Sequence, residues 1–330
     1  MALIEQESAR WSQLDPELDR PYRALAGLTL AGGKRLRPAF CTWAFVAGGG
    51  EPDDPSVVGA GAAFEMLHAF ALFHDDVMDG SSTRRGQRTV HLDYESRHQA
   101  EQWRGEGRRF GEGVAILVGD LAFVYADLLM SGAPAAAISL WHELRIELNI
   151  GQYLDVMGTA SGDVLYEGAM RIARLKSGKY TVERPMHLGA ALAGRLDLVE
   201  PFSAYALPLG DAFQLRDDVL GVFGDQESTG KPVGDDLREG KPTPMLAIAK
   251  QRATTQQLTI LDRIGTRDLS VDEVGEIQRV LIDTGALDVI EDTIATNTIE
   301  AIEQIESVAI GHDARHAFVE LAQYVAWRDR

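Results

Sequence analysis

The chain has 330 residues, of which 45% are hydrophobic and 25% are charged, a composition typical of a globular protein with a sizeable core. Its formal net charge of −18 argues against a general affinity for nucleic acid or for anionic membrane surfaces. The single cysteine, Cys41, excludes an internal disulfide framework. Because this is typical of a reducing compartment, we expect a cytoplasmic protein.

Apolar residues recur at helical spacing along most of the chain, whereas strand signals are scarce. The clearest helical stretches are residues 57–78, 113–130, 137–157, 165–188 and 202–223, separated by short Gly, Pro or Asp segments. Residues 95–109 are charged and aperiodic, which predicts an exposed loop. The pattern favours one all-α domain over residues 1–330, a bundle of about ten or more helices.

Targeting and membrane signals are weak in this sequence. The first residues lack the basic and apolar regions of a signal peptide, and no uncharged apolar run reaches roughly 18 residues. We therefore expect no stable membrane insertion, and we expect any hydrophobic substrate to bind in a pocket of the protein.

Residues 32–38 read Gly-Gly-Lys-Arg-Leu-Arg-Pro and place three cations beside a flexible glycine pair. Lysine offers a point charge and arginine a bidentate fork, both suited to phosphate oxygens. A basic turn between two helices, without any ligand, is an alternative interpretation of this segment.

Residues 75–79 read Asp-Asp-Val-Met-Asp and end an apolar helical stretch. Asp75 and Asp79 are four residues apart and share a helix face, so their charges repel unless a cation lies between them. Mg²⁺ suits this arrangement because it bridges one or two carboxylates to substrate phosphates. A solvated acidic helix end is the alternative. Arg84 and Arg85 follow closely and could cover a metal-bound phosphate.

A second cluster strengthens the metal interpretation. Asp217 and Asp218 lie near the end of another apolar helical stretch, and Gln214 precedes them by one turn on the same side. Two banks of carboxylates around one cleft could hold several Mg²⁺ ions on a diphosphate. Two such clusters in one chain argue against two accidental solvated helix ends.

Other polar residues stand near glycines or near these clusters, and each is a weak signal alone. They are Gln152, Asp155, Lys176, Ser177, Lys231 and Lys241. His68 precedes Asp75 by seven residues, two helical turns away on nearly the same face. A hydrogen-bonded core histidine is the usual alternative at such a position.

With these residues in place, the sequence resembles the trans-isoprenyl diphosphate synthases, or polyprenyl synthetases. The resemblance covers about residues 30–245 and rests on seven motifs in the family's order: GGKRLRP, HDDVMD, RRGQRTVH, GQYLD, LKSGK, FQLRDDVLGVFGD and GKPVGDDLREGK. It implies an all-helical bundle around a central active-site cavity, usually a homodimer. It also implies magnesium-dependent joining of isopentenyl diphosphate to dimethylallyl, geranyl or farnesyl diphosphate.

The resemblance also implies residue roles. Three Mg²⁺ ions would be held by Asp75, Asp79 and Asp217, supported by Asp76 and Asp218. The allylic diphosphate would be bound by Arg84, Lys176, Lys231 and Lys241. Isopentenyl diphosphate would be bound by Lys34, Arg37, His68 and Arg85. The reacting centre would be lined by Gln152, Asp155, Lys176, Ser177 and Gln214.

Product length is predicted from Phe70 and Ala71, which precede Asp75 by five and four residues. In synthases of this type, one aromatic at these positions and no insertion in the aspartate motif resembles the C20 pattern, that of geranylgeranyl diphosphate.

Two departures from the family pattern stand out. Gly221 replaces a final aspartate that is common in the second cluster, and Arg88 replaces a common proline.

Three alternatives remain. The product could be farnesyl diphosphate or a longer polyprenyl diphosphate. A class I terpene cyclase also uses an aspartate-rich helix, but the Asn/Ser/Glu motif typical of its second metal site is not seen in this sequence. A non-catalytic subunit of a heteromeric synthase would tend to lose an aspartate cluster or a basic motif, whereas both are present.

Overall fold

The computed structural model describes residues 1–162, 165–224, 233–266 and 268–327. This part of the chain is helical apart from connecting segments and one two-stranded hairpin, which confirms the all-α prediction. The α-helices are α1 (Ala2–Ser12), α2 (Asp19–Leu30), α3 (Leu36–Ala47), α4 (Pro55–Asp79), α5 (Val90–Ala100), α6 (Gly107–Met130), α7 (Ala135–Ser161), α8 (Tyr166–Ala173), α9 (Arg184–Leu192), α10 (Val199–Phe223), α11 (Asp235–Glu239), α12 (Pro244–Arg252), α13 (Thr255–Leu261), α14 (Val271–Asp283), α15 (Ala286–Ser307) and α16 (His312–Trp327).

The chain forms two compact units. The first comprises Met1–Pro38 and Gly59–Gly132, and the second comprises Ala39–Val58 and the described part of Ala133–Arg330. Helices α3 and α4 contribute residues to both units. The single domain and the central cavity expected from the sequence stay predictions.

The first unit is built around α4 and α6. Phe64, Leu67 and Phe73 of α4 are fully buried. Hydroxyl groups of Tyr22 and Tyr125 lie 2.7 Å apart and join α2 to α6 in the interior. The long apolar faces of α4 and α6 therefore form a core from which the aspartates at the end of α4 emerge.

The prediction of an exposed loop at residues 95–109 is wrong. Helix α5 continues to Ala100 and α6 begins at Gly107, so only residues 101–106 lie outside a helix. His98 is 5% exposed and packs against Trp103 and Phe110, with ring centroids 6.1 and 5.4 Å away. The buried residues of α5 include His91 and His98, which are polar. The regular spacing of apolar residues that marks a helix is therefore missing from this part of the sequence.

The second unit has a core in which α10 packs against α15 and other helices. Buried side chains from seven helices meet there, including Leu215, Val219, Leu246, Ile277 and Ile290. Helices α13 and α14 each begin with a capping box, which satisfies free backbone N–H groups at the helix start. This core fixes the part of α10 that carries the second aspartate cluster.

Two helices, α4 and α6, are long and apolar enough to cross a membrane by length and composition alone. Core helices of globular proteins meet the same criterion, and about two fifths of each apolar window is buried (44% and 39%). Their hydropathy therefore assigns neither helix to a membrane.

Candidate active site

The first aspartate cluster occupies the last turn and a half of α4, which ends at Asp79. Carboxylates are unfavourable near a helix C-terminus because the helix dipole is negative there. Asp75 and Asp79 are half-buried, and no basic residue stands in the last turn of α4. Three acids at a helix end that disfavours them suggest a functional constraint rather than a contribution to stability.

The end of α4 is anchored to α6 by His74. Its Nε2 atom lies 3.1 Å from the carbonyl oxygen of Ile116. A Cβ atom on Gly119 would come within 2.6 Å of the same nitrogen, so only glycine allows this close approach. His74 therefore packs the end of α4 closely against α6.

Asp76 has a different environment from its neighbours in the cluster. It is 3% exposed, and its Oδ1 atom accepts bonds from Arg84 Nε at 2.8 Å and Arg84 Nη2 at 2.6 Å. Burial opposes the charge of Arg84, but Asp76 beside it raises the pKa of the guanidinium. Asp76 therefore orients Arg84, and its predicted support of a metal ion stays a prediction.

Arg84 belongs to a hairpin that sequence patterns did not reveal. Its strands are β1 (Thr83–Arg84) and β2 (Gln87–Arg88), paired antiparallel. Arg85 and Gly86 form the turn and have φ angles of +52° and +72°. Positive φ at both central residues suits the twist of a two-residue hairpin, but it is unfavourable for arginine. The turn holds Arg85 in a conformation that its own backbone preference opposes.

Contacts with the glycine-rich segment fix Arg85. Its Nη1 atom donates to the carbonyl oxygens of Leu28 at 2.9 Å and Gly32 at 2.7 Å. A Cβ atom on Gly33 would lie 3.2 Å from Arg85 Nη2, and Gly33 has a φ of +131°. The glycine pair thus permits both the turn and the close approach of the guanidinium.

The basic segment at residues 32–38 divides its cations between two roles. Arg35 has a φ of +51°, pairs with Glu65 and donates to the carbonyl oxygen of Thr29 at 2.7 Å. Lys34 is exposed, and Arg37 lies in the first turn of α3. A carboxylate therefore already engages Arg35, whereas the substrate-binding roles of Lys34 and Arg37 stay predictions.

Positive charge is concentrated around His68. Burial and the nearby guanidinium groups of Arg37 and Arg85 hold the pKa of His68 well below its usual value, so it is neutral at pH 7. Burial and the neighbouring Arg35, Arg84 and Arg37 likewise lower the pKa of Arg85. A pKa lowered by neighbouring cations is a sign of positive charge that an anion would relieve.

The second unit carries the other predicted residues, and Lys176 and Ser177 lie there in a π-helical segment, Arg174–Glu183. The π-helix is rare and occurs frequently at functional sites. Lys176 Nζ donates to Asp155 Oδ2 at 2.6 Å. Asp155, on α7, is 8% exposed, and Gln152 precedes it on the same helix. Lys176 and Asp155, both predicted to line the reacting centre, are therefore in contact, and that role stays a prediction.

Glycines allow this segment to lie very close to its neighbours. A Cβ atom on Gly151 of α7 would come within 2.6 Å of the Lys176 backbone nitrogen. On the α10 side, a Cβ atom on Gly210 would lie 2.8 Å from the Cα of Gly178. The backbone of the π-helical segment therefore packs directly against the backbone of α7 on one side and of α10 on the other. The close approach to α7 brings Lys176 within reach of Asp155.

The second aspartate cluster lies on α10. Gln214 Nε2 donates to Asp218 Oδ1 at 2.7 Å, and Asp218 is 6% exposed. Burial, together with repulsion from Asp236 and Asp217, raises the pKa of Asp218 well above its usual value. Like-charged carboxylates crowded in this way are stabilised by a bound cation.

The donor chemistry of both clusters fits magnesium. Mg²⁺ prefers carboxylate oxygens and keeps several positions for water or phosphate oxygens. Within the described ranges, no three His, Cys, Asp or Glu side chains gather closely enough to bind one ion by themselves. The remaining ligands would therefore come from water and a diphosphate substrate, which is the usual way that enzymes hold Mg²⁺.

Lys241 and Lys231 were both predicted to bind the allylic diphosphate. Lys241 Nζ lies 2.7 Å from Glu239 Oε2 and 3.3 Å from Asp236 Oδ1, so carboxylates partly neutralise its charge. Lys231 falls outside the described residues. Asp236 belongs to a recognised sequence motif, yet no role was predicted for it.

Phe70 lies against residues that the sequence did not single out. Its ring centroid is 4.6 Å from that of Phe123 on α6 and 4.6 Å from that of His74. Phe70, Ala71 and Phe123 are all half-buried. Phe123 was missed because it is far from the aspartate motif in sequence, and only the packing of α4 on α6 brings it to Phe70.

Comparison with known proteins identifies the family. Residues 18–281 match the family model described as "Polyprenyl synthetase", so the chain belongs to the polyprenyl synthetase family. Geranylfarnesyl diphosphate synthase of Aeropyrum pernix is 32% identical and covers 83% of each chain. Geranylgeranyl diphosphate synthase of Methanosarcina mazei is 30% identical and covers 100% of this chain and 99% of that protein.

A solved structure agrees with this assignment. Geranylgeranyl pyrophosphate synthase from Corynebacterium glutamicum, complexed with isoprenyl diphosphate and magnesium, matches with a TM-score of 0.93 and 35% identity. The match covers 99% of this chain and 95% of that one. The resemblance found in the sequence is thus confirmed, and the chain is an enzyme of the trans-prenyltransferase class.

Proposed function

We propose that the chain is a magnesium-dependent, head-to-tail prenyltransferase that condenses isopentenyl diphosphate with allylic diphosphates. Dimethylallyl, geranyl and farnesyl diphosphates are the proposed primers, and geranylgeranyl diphosphate is the proposed product. The proposal includes three Mg²⁺ ions, as the family resemblance implies, and a cytoplasmic location, in line with the single cysteine.

The observation that carries this proposal is the excess of positive charge around His68 in an otherwise acidic chain. Burial and the nearby Arg37 and Arg85 lower the pKa of this histidine, and Arg35, Arg84 and Arg37 act in the same way on Arg85. Such a group of cations, next to aspartates suited to magnesium, matches a diphosphate better than an uncharged ligand.

In the proposed reaction, the chemistry that magnesium would supply when bound is neutralisation of the charge that develops on the departing diphosphate. Asp75, Asp79 and Asp217 would hold the metal, while Arg84 and Lys176 would donate to diphosphate oxygens. The allylic C–O bond breaks, the double bond of isopentenyl diphosphate forms the new C–C bond, and the released diphosphate accepts the proton that is lost. Apolar side chains exclude water from the carbocation.

Isopentenyl diphosphate is assigned to Lys34, Arg37, His68 and Arg85. The neutral imidazole of His68 can donate one N–H bond, and a bound diphosphate would offset the guanidinium charges that lower its pKa. Arg85 is held by backbone carbonyl groups, so little further ordering of this side chain is needed when the substrate binds.

We also propose a homodimer. In the first unit, α6 exposes Leu117, Val124 and Leu128, whose side chains share one side of the helix. An exposed apolar stripe of this kind is typical of a subunit interface. Light scattering coupled to size-exclusion chromatography should give twice the mass of the 36.0 kDa chain, and a monomer would contradict the proposal.

The reaction class can be tested directly with purified protein. We expect dimethylallyl, geranyl and farnesyl diphosphates each to be extended only when isopentenyl diphosphate and Mg²⁺ are present. Conversion of an allylic diphosphate alone to a hydrocarbon would favour a terpene cyclase. No turnover with any primer would favour a non-catalytic subunit of a heteromeric synthase.

Separate sites for the two substrates lead to a specific kinetic expectation. Arg37→Ala should raise the Michaelis constant for isopentenyl diphosphate about tenfold or more, because it removes a charged donor to that diphosphate. It should change the Michaelis constant for the allylic diphosphate little. Arg195→Ala, in an exposed pair with Asp197, is a matched control. Equal changes in the two Michaelis constants would contradict the partition.

Product length provides a further expectation, since the rings of Phe70 and Phe123 lie in contact. Phe70→Ala should lengthen the products, because it removes a bulky side chain roughly 7.5 Å along α4 from Asp75. Ala71→Phe should shorten them toward farnesyl diphosphate, and Phe123→Ala should act like Phe70→Ala. Chromatography of the products measures each change, with the exposed Val58→Ala as control. An unchanged product distribution in all three variants would show that length is determined elsewhere.

A further inference from the structure

The π-helical segment Arg174–Glu183 is joined to α7 at two places, each by a lysine and a carboxylate. Lys176 contacts Asp155, and Lys179 Nζ donates to Oε1 of Glu147 at 2.7 Å. Glu147 precedes Asp155 by eight residues, which is about 12 Å along the axis of α7. The second contact therefore lies well away from the first and fixes the segment at another point.

Glu147 also binds a second cation. Arg184, the first residue of α9, donates from Nε to Oε2 of Glu147 at 2.6 Å and from Nη2 to Oε1 at 2.7 Å. The backbone N–H of Arg184 donates to the carbonyl oxygen of Lys179, which is the i→i+5 bond of a π-helix. In an α-helix, residues five apart point about 140° away from each other, which disfavours a shared partner. One carboxylate that binds both side chains thus matches the π-helical backbone.

These ion pairs are shielded from solvent. The side chains of Glu147 and Arg184 are only 12% and 13% exposed. Burial opposes the charge of Glu147, but hydrogen bonds from Arg184 and Lys179 lower its pKa, so it is ionised at pH 7. Removing one partner of such a group leaves the others buried without compensation, so the three side chains hold one another in place.

A second acid, Glu183, completes the group. Its Oε2 atom lies 3.6 Å from Lys179 Nζ, and Ser203 Oγ of α10 donates to its Oε1 atom at 2.8 Å. Because Ser203 uses its only proton in this bond, Nε2 of His187 donates to Ser203 at 2.9 Å. The other ring nitrogen, Nδ1, accepts from Arg184 Nη1 at 3.3 Å. Burial lowers the pKa of His187 to about 4, although Glu183 opposes the shift, so the imidazole is neutral.

The charges within this group balance. Two carboxylates face one lysine and one arginine, and the histidine between them is neutral. A group without net charge has little attraction for a charged substrate. Its contacts join α7, the π-helical segment, α9 and α10, which suits a role in holding the backbone rather than in binding a ligand.

We propose that Glu147 is a positioning residue for the allylic diphosphate site. By binding Lys179 and Arg184 together, it favours the π-helical form of their segment. That form sets the direction of Lys176, three residues before Lys179, and keeps its ammonium group near Asp155. This inference rests on the proposed function, since Glu147 acts through Lys176, which is proposed to bind the allylic diphosphate.

The test is a double-mutant cycle that measures binding of geranyl diphosphate by titration calorimetry, with Mg²⁺ and without isopentenyl diphosphate. Glu147→Gln keeps the shape and removes the charge, and it should weaken binding about tenfold, as should Lys176→Ala. The double variant should bind no more weakly than Lys176→Ala, because the effect of Glu147 passes through that lysine. Glu143→Gln, which removes an exposed acid one turn earlier on α7, is the matched control.

Steady-state kinetics separate positioning from a general loss of structure. Glu147→Gln should raise the Michaelis constant for the allylic diphosphate and leave that for isopentenyl diphosphate within about twofold, whereas a loosened fold would raise both. If Glu147→Gln does not fold, as judged by circular dichroism, Lys179→Met replaces it in the same cycle. That variant keeps the pair between Glu147 and Arg184. Lys179→Arg, which retains the charge, should restore most of the affinity that Lys179→Met loses.

Wild-type affinity in either single variant would overturn this inference, as would additive losses in the double variant or an equal rise in both Michaelis constants. Failure of the wild-type protein to bind geranyl diphosphate with Mg²⁺ would overturn the proposed function together with the inference. Normal wild-type binding with no effect of Glu147→Gln would overturn the inference alone.

Discussion

Asp217→Ala should reduce turnover roughly 100-fold or more while leaving the helical content unchanged. Asp217 lies on a helix whose other face is fixed in the core of the second unit, so removing its half-buried carboxylate has little effect on packing. Its proposed contribution is to hold the metal that stabilises the departing diphosphate. Asp75→Ala, in the first aspartate cluster, should reduce turnover by a similar factor for the same reason.

Steady-state turnover over a range of Mg²⁺ concentrations measures this effect, with Asp313→Ala as an exposed control on α16. Excess Mg²⁺ should recover part of the activity if the carboxylate acts through the metal. Near-normal turnover in either aspartate variant, or full wild-type turnover in excess chelator, would disprove the metal assignment.

Asp76→Ala should lower the free energy of unfolding by about 3–5 kcal/mol, because it leaves the guanidinium of Arg84 buried without its carboxylate partner. Asp76 is 3% exposed and the Arg84 side chain is 17% exposed, so solvent does little to screen this pair. Removing both side chains should cost less than the sum of the two single changes, since neither charge is then left unpaired.

Chemical denaturation of the two single variants and the double variant measures this coupling. The matched control is Glu112→Ala, which breaks a surface pair with Arg108 and should change stability little. Additive effects of the two substitutions would show that Asp76 and Arg84 contribute independently. That result would contradict the inference that Asp76 orients Arg84.

Sequence patterns predicted the long helices well because each of them carries enough apolar residues on its buried face. Helix α10, for example, was predicted from residue 202 and begins at Val199. Helix α5 was missed because its buried positions include His91 and His98, which carry no apolar period. The hairpin was missed because its strands have two residues each and its turn begins with arginine, which disfavours positive φ.

The candidate site was likewise predicted only in part from the sequence. The aspartate clusters and most of the basic residues were predicted, because their spacing along one helix already places them on one face. The engagement of Asp76 by Arg84 was not predicted, since it depends on how the hairpin folds back onto α4. The contacts of Phe123 with Phe70 and of Asp236 with Gly221 were missed for the same reason, since each joins two elements that are far apart in the sequence.

By itself, the sequence determined the helical class and the family, and it predicted the residues that would carry the chemistry. These properties are local, since helix periodicity and motif spacing extend over a few turns of one segment. Only the tertiary structure decided which carboxylates are paired with cations, which guanidinium groups lie near His68 and which carboxylate lies against Gly221. Those properties depend on distances between segments far apart in the chain, and packing of the cores sets such distances.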